Sequence, residues 1–191
     1  MTPKMNIVKN YIMCIIAVSL WSLEMRHALK FDSPNCRIFD HVPRGRGKGC
    51  GIFSSSSRNP PQSKHKVAKD LYQLMSFVEK NDQTNPYQLV LIYASSSCPF
   101  QELAKDIEKL LNPEMTTLIL GDFNFDRNEK NALTRLLSKK NFIQIVNFPT
   151  HKGGRTLDHC YISKNSMIKV SRHLPYYSDH SALCIEFQWL T

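Results

Sequence analysis

Thr116-Thr117-Leu118-Ile119-Leu120-Gly121-Asp122-Phe123-Asn124 is the stretch from which the rest of the chain is read. A β-branched and aliphatic run, bounded by Asn112-Pro113 and closed by a glycine, predicts a buried strand whose end delivers Asp122 and Asn124 to a cleft. Successive strand residues point to opposite faces, so Asp122 and Asn124 are expected on one surface and Phe123 turned back into the protein. Taken alone, Gly121-Asp122 is equally ordinary strand-ending turn chemistry. Two further acidic and imidazole sites on strand-like segments shift that balance: Leu157-Asp158-His159 and Ser178-Asp179-His180-Ser181. Three such strand ends can converge at one end of a sheet.

A chain of 191 residues suits one domain with a sizeable core, and 42% apolar with 21% charged residues excludes wholesale disorder. The net charge of +9 favours a polyanionic partner, which charge alone leaves open between nucleic acid and an anionic membrane surface. Cys14, Cys36, Cys50, Cys98, Cys160 and Cys184 form no CxxC and no short Cys/His metal spacing. They read as reduced thiols, mostly buried, in an intracellular protein, nuclear or cytoplasmic. Lys4 and Lys9 ahead of the apolar run Tyr11 to Leu23 give residues 1–21 the form of a leader, a weak signal-like segment or a first buried strand. That run is short for a membrane-spanning helix, so no stable membrane association is expected.

Along the chain, Ile12 to Leu20 reads as a core strand ending near Ser22 to Glu24, and Cys36 to Phe39 as a short strand after the turn Asp32-Ser33-Pro34-Asn35. The segment from Arg44 to Phe53 alternates glycine with cations but matches neither dinucleotide nor P-loop spacing. A glycine-rich turn leading into a strand is predicted. Ser54 to Lys66 reads as a polar surface loop. Val67, Leu71, Leu74, Met75 and Val78 fit an amphipathic helix by pattern, while Leu71 to Val78 would also serve as a strand pairing with Tyr87 to Tyr93. Pro99 to Leu111 and Asn128 to Lys140 are predicted helices. Ile143 to Val146, Thr156 to Ile162, Met167 to Val170 and Ala182 to Gln188 are predicted strands. The strand-helix-strand-helix order points to a layered α/β fold.

Leu118-Ile119-Leu120-Gly121-Asp122-Phe123-Asn124, Pro149-Thr150-His151, Arg155-Thr156-Leu157-Asp158-His159 and Ser178-Asp179-His180-Ser181 together resemble the endonuclease/exonuclease/phosphatase superfamily. Within it the chain looks most similar to transposable-element endonuclease domains of the non-LTR retrotransposon and Helitron kinds. The resemblance extends over residues 22–191 and includes Tyr93 at the end of its strand and Gly49-Cys50-Gly51-Ile52-Phe53. It implies a four-layer α-β-β-α sandwich, two packed mixed sheets flanked by helices, and it turns Leu71 to Val78 into a strand. The family's first strand, which delivers an asparagine to the metal site, has no match. Asn6 and Asn10 are not assigned that role.

The chemistry implied is divalent-metal-dependent phosphodiester hydrolysis with Mg2+ or Mn2+, most simply the nicking of DNA. Asp122 would orient or deprotonate water, Asn124 and Tyr93 would donate to phosphate, and His180 would contact the scissile phosphate while Asp158 holds its ring. Glu24 and Asp179 would bind or support the metal. Arg44, Arg46, Lys48, Lys64, Lys66 and Arg155 would contact nucleic-acid phosphates. Two alternatives belong beside this reading: an inactive remnant that at most binds nucleic acid, and an inositol-phosphate or phospholipid phosphatase. His159 is expected to be structural, because it points away from Asp158. His151 is expected to meet DNA or solvent. Asp126 is a further neighbour without an assigned part.

Overall fold

The structure is a computed structural model that describes residues 9–14, 36–44, 48–55, 62–81, 84–163, 167–174 and 178–188. Its strands are β1 (Lys9–Cys14), β2 (Cys36–Arg44), β3 (Lys48–Ser55), β4 (Gln62–Ala68), β5 (Tyr72–Asn81), β6 (Thr84–Ala94), β7 (Thr116–Asp122), β8 (Ile143–Gln144), β9 (Asp158–Ile162), β10 (Met167–His173) and β11 (Ala182–Gln188). Among the described residues two helices, α1 (Phe100–Leu110) and α2 (Ala132–Lys139), lie between them. Six strands form one sheet in the order β4-β5-β6-β7-β9-β8, three form a second in the order β1-β11-β10, and β2 pairs with β3. The larger sheet is mixed, because β6 and β7 run parallel across the α1 connection. The pairs within the second sheet are antiparallel.

Alternation along the central strands builds two cores from one sheet. Val90, Ile92, Ile119, Phe123 and Tyr161 face Leu103 and Ile107 of α1 and Leu133 and Leu137 of α2. Leu89, Leu91, Leu118, Leu120, Cys160 and Ile162 face the other way and meet Leu183 and Ile185 of β11. This is the packed two-sheet α/β sandwich that the resemblance implies, with α1 and α2 over the outer face of the larger sheet. Burial on both faces explains why 118–120 is continuously apolar and not alternating.

The same two-sidedness resolves β5. Leu74 packs into the helix-facing core and Met75 into the inter-sheet core, so spacing that also fits a helix belongs to a strand buried on both sides. Other elements depart from the sequence expectation. Gln62 to Lys66, predicted as part of a polar loop, is strand β4 at the edge of the larger sheet, where charged and polar residues are tolerated. β1 begins at Lys9, three residues before the predicted strand, and β2 runs on to Arg44. The predicted continuation from residue 15 to the turn at Asp32–Asn35, Glu24 included, lies outside the described residues, as does Asn6.

Helix α2 starts at Ala132, four residues after its predicted start. Asn131 caps it: its side chain accepts from the Thr134 N–H, and the Thr134 hydroxyl accepts from the Asn131 N–H. Upstream, Asp126 closes a turn by accepting the Asn128 N–H, and this uses up residues that the pattern gave to the helix. The strand predicted for 143–146 is two residues long. Cys98, Cys160 and Cys184 carry free thiols, and burial pushes that of Cys98 up to about 12. No helix among the described residues is long and apolar enough to cross a membrane.

Candidate active site

The site lies at the end of the larger sheet, on the face turned toward the second sheet. Parallel pairing places Tyr93 at the end of β6 beside Asp122 at the end of β7, and antiparallel pairing places Asp158, the first residue of β9, directly opposite Asp122. Tyr93 alternates with Leu89 and Leu91, Asp122 with Leu118 and Leu120, and Asp158 with Cys160 and Ile162. All three therefore share the inter-sheet side. Gly121 lets β6 and β7 approach here: a Cβ at that position would stand 1.9 Å from the Ile92 carbonyl oxygen.

Asn124 reaches Asp122, but not by strand alternation. Its backbone turns left-handed (φ 53°), a conformation that asparagine tolerates better than most residues. Its N–H then donates to Asp122 Oδ1 (2.9 Å), and its side-chain amide donates to Asp122 Oδ2 (3.0 Å) and the Ala94 carbonyl (2.8 Å). Phe123, between them, is buried in the helix-facing core as expected.

His180 arrives from the loop before β11. Its Nδ1 lies 2.8 Å from Asp158 Oδ2, with the ring 8% exposed and the carboxylate fully buried. Burial opposes a charged ring, but the hydrogen bond to Asp158 and the charges of Asp158, Asp122 and Asp179 outweigh it and raise the His180 pKa. Asp122 is shifted by burial first and by the Asp158 carboxylate next, up to about 7, against the pull of His180 and the Asn124 N–H. Asp158 Oδ1 is buried and has no hydrogen-bond partner among the described residues.

The loop 149–157 fastens these pieces together. Thr150, fully buried, accepts the N–H groups of both Leu157 and Asp158 on its hydroxyl (3.0 Å each) and the Ser181 N–H on its carbonyl (2.6 Å). His151 forms a β-bridge with His180, and its Nε2 lies 3.3 Å from Asp179 Oδ2. A cleft of about 340 Å³ opens over His151, Asp179 and His180, with Lys152 and Arg172 on its wall. His180 presents the cluster to this cleft, and Asp122 and Asp158 lie behind it, fully buried.

Among the described residues, two groups have donor atoms within 4.8 Å of one another, Asp122–Asp158–His180 and His151–Asp179–His180. The first fits a hard divalent cation. Two carboxylates face each other in a buried position, and one of their oxygens is unpartnered.

Five of the sequence-derived candidates, Tyr93, Asp122, Asn124, Asp158 and His180, are assembled at this sheet end, and Asp179 is in the adjoining loop. Of the six expected phosphate contacts, Arg155 is exposed in the loop 149–157, with its carbonyl accepting the N–H groups of Thr150 and His151. Arg44 and Lys48 are paired across the β2–β3 hairpin, Lys64 and Lys66 lie in β4, and Arg46, like Glu24, is outside the described residues. From sequence Thr150 had no assigned part and His151 was expected to meet DNA or solvent. The only signal for either was the Pro149-Thr150-His151 motif.

His159 is structural, as expected. It is fully buried, stacked on Phe123 at 4.8 Å, with its nitrogens 3.0 Å from the Tyr161 hydroxyl and the Thr156 carbonyl. Burial pushes its pKa down to about 4. Asp126 holds backbone N–H groups of Asn128 and Thr156 and takes no place in the cluster.

A two-sheet α/β sandwich with carboxylates and an imidazole gathered at one sheet end defines a hydrolase fold with a candidate phosphoester site. Residues 5–180 match the Endonuclease/Exonuclease/phosphatase family, and the chain belongs to that family. Among solved structures, the endonuclease domain of TRAS1, a telomere-specific non-LTR retrotransposon, is similar with a TM-score of 0.65 at 11% identity, over 95% of this chain and 98% of that one. The human Nocturnin catalytic domain with bound sulfate anion has a TM-score of 0.63 at 14% identity, over 94% and 97% of the two chains. The inositol polyphosphate 5-phosphatase domain of SpSynaptojanin, in complex with inositol (1,4)-bisphosphate and calcium ion, has a TM-score of 0.50 at 12% identity, over 80% of this chain and 62% of that one. At these identities the likeness is one of fold, and it spans nucleases and phosphatases alike. No curated protein sequence matches the chain significantly.

Proposed function

We propose that this protein is a divalent-metal-dependent DNA-nicking endonuclease of transposable-element type. The observation that carries the proposal is the Asp122–Asp158–His180 cluster at the sheet end, with donor atoms within 4.8 Å of one another. The choice of DNA rests on the net charge of +9, on exposed Lys152 and Arg172 at the cleft wall with Arg155 exposed in the loop 149–157, and on the close match in length to the retrotransposon endonuclease domain.

Asp158 accepts from His180 Nδ1–H and favours the charged ring, in which Nε2 also carries a proton and can donate to a phosphate oxygen in the cleft. Asp122, with a pKa pushed up to about 7, is suited to accept a proton from water at neutral pH. Asn124 fixes the Asp122 carboxylate; its amide already donates to Asp122 Oδ2 and the Ala94 carbonyl, so it would donate to a phosphate by releasing one of them. Tyr93 contributes a hydroxyl from the same face. Asp179 and Glu24, with the unpartnered oxygen of Asp158, would hold Mg2+ or Mn2+, which when bound supplies positive charge against the phosphate oxygens.

Supercoiled plasmid incubated with the purified protein and Mg2+ tests the proposal. Nicking that disappears with chelator and with Asp122→Ala supports it. A folded protein that binds the plasmid in a salt-dependent way without nicking it would instead support the inactive remnant. Hydrolysis of inositol phosphates in preference to DNA would favour the phosphatase. In the binding arm, Arg155→Ala should weaken DNA binding at every sequence tested and lower the salt slope by about one.

A further inference from the structure

The structure assigns His151 as the positioning residue of Asp179, acting through a neutral ring whose proton is kept on Nε2 and directed at that carboxylate. This rests on the metal-dependent reading above, in which Asp179 serves the cation.

The assignment follows from what each ring nitrogen meets. The Gly153 N–H points at His151 Nδ1 from 3.0 Å. A backbone N–H can only donate, so Nδ1 must be the bare, accepting nitrogen and the ring proton must sit on Nε2. That nitrogen lies 3.3 Å from Asp179 Oδ2. The contact joins the two loops that form the cleft wall, and the backbone already clamps them there. The Lys152 N–H donates to the Asp179 carbonyl at 2.9 Å, the Ser181 N–H donates to the Thr150 carbonyl at 2.6 Å, and His151 and His180 form a β-bridge. With both main chains held, the contact of His151 Nε2 with Asp179 Oδ2 bears on the orientation of the Asp179 carboxylate at the open end of the site, where it is half exposed.

The same geometry argues that His151 is not itself a ligand. Coordination through Nε2 would need the proton moved to Nδ1, into the Gly153 N–H. A carboxylate oriented by a neutral donor is the outer arrangement that metal-binding carboxylates use, and removing such a partner costs about 10- to 100-fold in metal affinity.

Two substitutions separate the two nitrogens. Glutamine places an amide N–H where Nε2 stands and so keeps the donor to Asp179. Asparagine places an amide oxygen where Nδ1 stands and keeps the acceptor for Gly153. Mn2+ binding is read directly from the loss of the free-ion paramagnetic resonance signal, and nicking is measured against Mn2+ concentration. His151→Asn is expected to weaken Mn2+ binding by about 10- to 100-fold, with the nicking rate at saturating Mn2+ preserved, and His151→Gln to bind as the unaltered protein does. In an Asp179→Asn background His151→Asn should change Mn2+ binding no further. If asparagine serves as well as glutamine, or if the two substitutions add, His151 only anchors its loop and the assignment falls. An unaltered protein that binds no Mn2+ would remove the metal reading as well as this one.

Discussion

His159 and His180 stand on opposite sides of one strand pair, and the contrast between them shows how this fold assigns chemistry to identical side chains. Asp158 and His159 are consecutive in β9 and both fully buried, but they point to opposite faces of the sheet. His159 enters the helix-facing core among Phe123, Phe125 and Tyr161, spends its nitrogens on a carbonyl and a hydroxyl, and is pushed down to about 4. His180 meets Asp158 on the other face and is raised. Desolvation acts against charge on both rings. The carboxylate partner decides the sign.

The largest effect should come from breaking the His180 side. His180→Ala or Asp158→Asn is expected to lower the nicking rate by about 10²- to 10⁴-fold while the protein remains folded, as measured by plasmid conversion alongside circular dichroism. A rate unchanged by His180→Ala would mean that the pair is structural, like its neighbour.

Breaking the His159 side should affect stability in place of rate. His159→Ala removes a packed ring and two hydrogen bonds and is expected to cost about 3 kcal/mol in denaturant unfolding at pH 7. The cost should shrink in acid. The folded pKa of about 4 lies below the ordinary 6.5, so the unfolded chain takes up the proton first. The stabilisation is full above pH 6.5 and is lost as pH falls through about 4, by on the order of 3 kcal/mol in total. Asp122 has the opposite sign: raised from 3.8 to about 7, it contributes stability that is full below pH 3.8 and lost as pH rises through about 7 in the absence of a cation. Comparing the pH-stability curves of His159→Ala and Asp122→Asn separates the two. A His159→Ala cost that stays constant from pH 7 to pH 4 would show that the ring is not held neutral.

Smaller, and acting on both faces, is Gly121→Ala. Its Cβ meets a backbone oxygen and not a movable side chain, so β6 and β7 must separate beside Asp122. A loss of about 1–3 kcal/mol is expected, with reduced nicking by the folded fraction, because the Tyr93–Asp122 register is disturbed. A variant with undiminished stability would show that the strand ends are looser than this packing implies.

Much of this was legible in the sequence, for a physical reason. The run at 118–120 and the motifs at 121–124, 157–159 and 178–181 state both the burial and the chemistry in the order of the residues. β9 could be divided into a functional Asp158 and a structural His159 by alternation alone. Pattern was ambiguous where a strand is buried on both faces, as at Leu74 and Met75 in β5, and it misled at a polar edge strand, as at Gln62 to Lys66. The route by which Asn124 reaches Asp122 depends on a left-handed backbone that no periodicity records. The place of His151 depends on a β-bridge across 29 positions of chain and on a backbone N–H two residues on, neither of which has a sequence signature.

The opposed ionisation of the two histidines can be measured directly by titrating the imidazole ¹⁵N resonances of the metal-free protein from pH 4 to pH 9, with His159→Ala and His180→Ala giving the assignments. The account predicts a His180 midpoint above 6.5 that falls in Asp158→Asn, and a His159 ring that remains neutral until pH approaches 4. A His180 midpoint below 6.5, or one indifferent to Asp158→Asn, would contradict the charged pair on which the candidate site is built.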